Sequence, residues 1–124
     1  MNQSPGSVND RDAVDLLHLM GHLYLKSGQT RRGMVMLLIA NRMAPDHAGV
    51  LRALCRGFLA SGNGARALNV IARLEANHEH DATLILLRSR AEWLTGERAL
   101  ARRHFQRYLE QRRHDDTACG ESAP

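Results

Sequence analysis

The sequence lacks much of what whole classes of protein function require. Across its 124 residues no apolar run approaches the ~20 residues a membrane-spanning helix needs. The opening stretch, MNQSPGSVNDRD, has no charged-then-apolar pattern, so no secretory signal is expected. Cys55 and Cys119 are the only cysteines, one in an apolar-periodic run and one in a polar stretch. That excludes a disulfide-rich scaffold and fits two free thiols in a reducing cytosol. Lysine occurs once, at Lys26, among 17 basic residues, and tryptophan once, at Trp93. There is no P-loop, no GxGxxG and no nucleophile elbow, so neither catalytic residues nor a cofactor site is expected.

What is present is ordinary for one globular domain: 44% hydrophobic and 24% charged residues, enough for a modest core. The formal net charge of +4 and pI of about 9.8 permit acidic or nucleic-acid partners without choosing between them. The abundance of arginine suits pairing with carboxylates and phosphates, or follows codon usage alone.

The informative feature is a period. KSGQTRRG at 26–33, ASGNGARA at 60–67 and LTGERALA at 94–101 share a glycine at their third position and a small residue at their eighth. Gly28, Gly62 and Gly96 are therefore 34 residues apart, as are Gly33, Ala67 and Ala101. Thirty-four residues is the length of a tetratricopeptide (TPR) unit of two antiparallel helices. Counting repeats from Val14, Ala48 and Ala82, the eighth position, where two helices cross, holds Gly21, Cys55 and Ser89, all small. The fourth position holds Leu17, Leu51 and Ile85, and the twenty-fourth Leu37, Ile71 and Phe105. Departures fall in the third repeat, where Arg88 and Glu92 replace the apolar residues of their columns, as a terminal repeat allows.

The fold expected is all-α: a TPR-like α-α superhelix of three helix-turn-helix repeats over 13–113, with flexible tails at 1–12 and 114–124. Helices are predicted at 13–27, 31–43, 47–60, 64–76, 81–95 and 98–113. The glycines of the first series suit left-handed helix ends. Thr30, Asp46, Asn63 and Asp81 are the expected N-caps. In the last helix Ala101, His104, Phe105, Tyr108 and Leu109 share one face. Arg102, Arg103, Gln106, Arg107 and Glu110 form a polar face expected to cap the end of the stack, so the chain reads as complete at three repeats.

Cys55 falls in a column that demands a small buried residue, which argues against a nucleophile. His18 and His22 are four apart on one helix, but no third ligand stands at a fixed spacing, so no metal is expected. RRHFQRYLEQRR interleaves arginines with two aromatics. Its periodicity puts those aromatics on the buried face, away from any base, so nucleic-acid binding is disfavoured.

The first helix of each TPR unit lines the concave side of the stack. Its groove positions here are His18, His22 and Leu25, then Arg52, Arg56 and Leu59, then Leu86, Arg90 and Trp93. A groove both apolar and cationic fits an amphipathic or extended segment with acidic residues. Chaperone-tail TPR domains need Lys and Asn where this chain has His18 and His22, which excludes that partner class.

Residues 16–113, above all LLHLMGHLYLKSGQTRRGMVMLLIANRMAPDHAGVLRALCRGFL and RSRAEWLTGERALARRHFQRYLEQR, resemble the YscY-type (SctY) chaperones of bacterial type III secretion. These are small cytosolic three-repeat TPR proteins. The resemblance implies a binding role: holding a small secreted partner of the YscX (SctX) type as a heterodimer, which then engages the cytosolic domain of the export gate (SctV type). A general TPR interaction scaffold is the alternative, and a nucleic-acid-binding helical module the third reading.

Overall fold

The computed structural model describes residues 8–121, which form six helices: α1 (Val8–Lys26), α2 (Thr30–Met43), α3 (Ala48–Ala60), α4 (Gly64–Ala76), α5 (Ala82–Leu94) and α6 (Arg98–Glu121). No strand occurs among the described residues, and none of the helices is long and apolar enough to cross a membrane.

The turns explain the spacing. Gly28, Gly62 and Gly96 adopt φ of 82°, 75° and 88°, a region open to glycine and costly for residues with a Cβ. At the first, Gly28 N–H donates to Leu25 O at 3.1 Å and Gln29 N–H to Tyr24 O at 2.8 Å. This doubly bonded helix end satisfies carbonyls that would otherwise be orphaned, and it recurs at Gly62 and at Gly96. A fourth copy closes α4, where His78 stands in the glycine's place with φ 64°. His78→Gly is therefore expected to raise stability by roughly 0.5–1 kcal/mol, read as a shift in the urea midpoint.

Of the four expected caps, two hold. The Asn63 side chain accepts from Arg66 N–H at 3.2 Å, and Asp81 Oδ1 from Leu84 N–H at 2.9 Å. Thr30 is instead the first residue of α2, and Gln29 at the cap position makes no side-chain capping bond; its Oε1 accepts from Arg32. Asp46 is displaced by His47, whose Nδ1 accepts from Val50 N–H at 3.1 Å. The helix begins one residue later than an Asp46 cap allows.

The first and last helices extend past their expected outer bounds. Residues 8–12 belong to α1, with Asp10 placed against the positive end of the helix dipole. Residues 114–121 continue α6, supported by Gln111–Asp115 and Thr117–Arg113 hydrogen bonds one turn apart. Residues 1–7 and 122–124 of the expected tails, and the Cys119 side chain, lie outside the described residues.

Each helix packs on the next, and α3 also touches α1 and α5. α3 is the keystone because it is apolar on two sides. Leu51, Cys55 and Leu59 join α4 and α5 in one core cluster; Val50, Ala53 and Leu54 join α1 and α2 in another.

At the three hairpin crossings the small residues meet in pairs. A Cβ on Gly21 would lie 2.6 Å from Leu37 Cγ, and one on Gly33 would lie 2.9 Å from the Gly21 carbonyl oxygen. Cys55 Sγ sits 4.0 Å from Ala67 O, and Ser89 Oγ donates to Ala101 O at 2.7 Å. Each pair is twelve residues apart in the sequence. Burial pushes the Cys55 thiol up to about 11, so it stays protonated and inert. Cys55→Leu is expected to overpack this crossing and to cost about 1–3 kcal/mol by chemical denaturation.

Candidate partner-binding groove

Each of the two departures, Arg88 and Glu92, has a polar partner on a neighbouring helix. Arg88 forms an ion pair with Glu75 of α4. Glu92, only 4% exposed, holds His104 of α6, with Oε1 2.7 Å from Nδ1. Columns that are apolar earlier in the chain are thus filled here by matched polar pairs between neighbouring helices.

The α6 face is only partly covered. Ala101 is buried and His104 half-buried, but Phe105 and Leu109 are 43% and 42% exposed, against expectation. The reason is that α6 packs on α5 alone, and one neighbour cannot cover the whole apolar stripe. Phe105 is therefore not kept from a ligand by burial. The polar face of Arg102, Arg103, Gln106, Arg107 and Glu110 is exposed, as expected.

This uncovered side of α6 opens a cleft of about 380 Å³ between the C-terminal ends of α3 and α5 and the start of α6. Leu59, Trp93, Leu94 and Phe105 make its apolar surface, and Arg90 and Arg102 stand among its lining. Trp93 is 48% exposed, with the Arg98 guanidinium 4.9 Å from its ring centroid. Leu59 is buried and forms the floor.

Three of the nine predicted groove residues, Leu59, Arg90 and Trp93, therefore converge in one cleft. The others sit elsewhere. Leu25 is half-buried against the α1–α3 core, and Leu86 is half-buried on α5. His18 packs edge-on to His47, ring centroids 5.5 Å apart, over Gly49, whose Cβ would meet the His18 ring at 2.7 Å. Burial, and then the neighbouring His47, hold His18 below its ordinary value, which favours the neutral ring. His22 is exposed. No group of three or more His, Cys, Asp or Glu among the described residues is placed to hold a metal ion.

Arg52 is committed to an internal contact. Its guanidinium donates to Asp81 Oδ2 at 2.8 Å and to Glu79 Oε2 at 3.3 Å, tying α3 to the loop before α5. Desolvation opposes ionisation of Asp81, but the Leu84 N–H and Arg52 outweigh it and hold the carboxyl below the usual range. Arg56 and Arg90, by contrast, are exposed and make no ion pair among the described residues. They, with Arg102, are cations of the predicted groove and the cleft that stay open to a partner. In a second cleft, of about 440 Å³ beside Arg88 and His104, the lining pair Glu75 and Arg88 engage each other, and Asp81 and His104 are held by Arg52 and Glu92 outside it.

Sequence reasoning missed two apolar stripes. Leu16, Leu19 and Leu23 on α1, and Val35, Leu38 and Ile39 on α2, are all exposed, each on the side of its helix away from the core. Their helical spacing was legible, but an apolar stripe reads as core until its packing is known. Neither a family model nor a curated protein matches the chain.

Proposed function

We propose that this chain is a three-repeat TPR-like binding protein that holds an apolar, acidic segment of a partner protein in the α3–α5–α6 cleft. The carrying observation is the meeting of Trp93, Leu94 and Phe105 with the unpaired Arg90 in one open cleft floored by Leu59. Exposed Trp and Arg are the side chains that most often dominate interface energetics. The repeat reading is supported by the left-handed glycines 34 residues apart and by the small-residue crossings twelve apart. It is also supported by contacts within the odd-numbered series α1, α3 and α5 where the even-numbered helices make none, as a curved stack requires.

The resemblance of residues 16–113 to YscY-type chaperones names the partner: a small secreted protein of the YscX type. The pair acts in the cytosol and delivers its cargo to the export gate. Co-expression with a secretion operon, pulldown and mass spectrometry test this reading. One-to-one recovery of a small secretion component is the expected result; recovery of none rejects it.

The exposed Phe105 beside Arg102 also favours a second reading, single-stranded nucleic-acid binding. A salt-sensitive gel shift lost in Arg102→Glu/Arg103→Glu would select it over the chaperone reading.

A further inference from the structure

The outer face of α1 is an unpartnered seam with a built-in complement. Leu16, Leu19 and Leu23 are 56%, 55% and 56% exposed, although Val14 and Gly21 on the opposite side of the same helix are buried. Extending the seam by helical spacing reaches Asp12 at one end and Lys26 at the other. Positions 12, 16, 19, 23 and 26 follow the 4-3-4-3 spacing of a two-helix coiled-coil seam. Asp12 and Lys26 are exposed and in no ion pair among the described residues.

We infer that α1 pairs antiparallel with α1 of a second copy of this chain, about a two-fold axis near Leu19. Asp12 and Lys26 each stand seven residues from Leu19. An antiparallel partner in that register therefore sets Asp12 of one copy against Lys26 of the other, twice, one ion pair at each end of the leucine contact. Leu19 meets its own counterpart at the axis, and Leu16 lies across from Leu23. A parallel arrangement in register would set Asp12 on Asp12 and Lys26 on Lys26, so the charges select direction as well as partner. An isologous contact of this kind closes after two copies. The seam is separate from the α3–α5–α6 cleft, and the inference does not depend on the partner proposed there.

The test uses the full chain carrying Cys119→Ser, with Cys55 left in place because it is buried. Under mild oxidation Leu19→Cys is expected to form a covalent dimer. Leu16→Cys alone should not, whereas Leu16→Cys mixed with Leu23→Cys should. In sedimentation equilibrium, Asp12→Lys should weaken the dimer by about tenfold, and the double reversal Asp12→Lys/Lys26→Asp should restore it. Circular dichroism of each variant confirms that the helices persist. A wild-type chain that sediments as a monomer at every concentration overturns the inference. So does a Leu16→Cys chain that cross-links to itself as readily as Leu19→Cys, or a Leu19→Cys chain captured by another protein and not by its own copy.

Discussion

His104→Ala is expected to lower the stability of the fold by about 3 kcal/mol, the upper end of what leaving a buried polar group without its hydrogen-bond partner costs. Glu92 is almost fully buried on α5, and His104 Nδ1, 2.7 Å away, is the only partner of its carboxylate among the described residues. Without the imidazole the buried carboxylate is left with no hydrogen-bond partner among the described residues, which is costly. Urea unfolding followed by circular dichroism measures the effect. The same logic predicts a rescue. Phe58 and Val70 stand 34 residues before Glu92 and His104, so Glu92→Phe/His104→Val brings the earlier, apolar pair to this crossing. That double variant is expected to be at least as stable as the wild type. An unchanged midpoint for His104→Ala alone would mean that water reaches Glu92 and that the pair is not coupled.

Trp93→Ala is expected to weaken partner binding by 2 kcal/mol or more, about a thirtyfold rise in Kd, while changing fold stability by less than about 1 kcal/mol. The two effects separate because half of the indole is in solvent in the free chain, so folding has buried only part of its apolar area. A partner that covers the cleft buries the rest and must also accommodate Arg98, which sits over the ring. Titration calorimetry with the captured partner, beside thermal unfolding, reads both numbers. A stability loss larger than the binding loss would assign Trp93 to the core and remove the cleft as the binding site.

The residues at issue show how far local signals reach. Gly28, Gly62 and Gly96 were legible as helix ends because a left-handed φ is a property of the backbone at one residue. Asn63 and Asp81 were legible as caps for a similar reason: the bond spans three residues. His47 took the place of Asp46 because a one-residue shift in the start of α3 decides which side chain reaches Val50, and that shift depends on how α3 packs. The pairs Gly21–Gly33, Cys55–Ala67 and Ser89–Ala101 were legible as small residues at crossings, because two helices joined by a short turn meet at a separation the turn dictates.

Arg88 and Glu92 read as decay of the pattern, yet each has its answer on a neighbouring helix. Glu75 lies 13 residues before Arg88, and His104 lies 12 after Glu92. Arg52 read as a groove cation, but a loop 29 residues further on claims it. Charge alone does not say whether a cation is free; that depends on which loop the fold brings beside it.

By itself, then, the sequence determined an all-helical chain of six elements, their turns and the close crossings within each hairpin, since these follow from backbone conformation and helical period. Which apolar stripes are buried was decided only by the tertiary structure. Phe105 and Leu109 of α6, and Leu16, Leu19 and Leu23 of α1, carry the same spacing as the buried leucines of α3. They stay in solvent because α6 packs on α5 alone, and α1 packs on α2 and α3 through its opposite side.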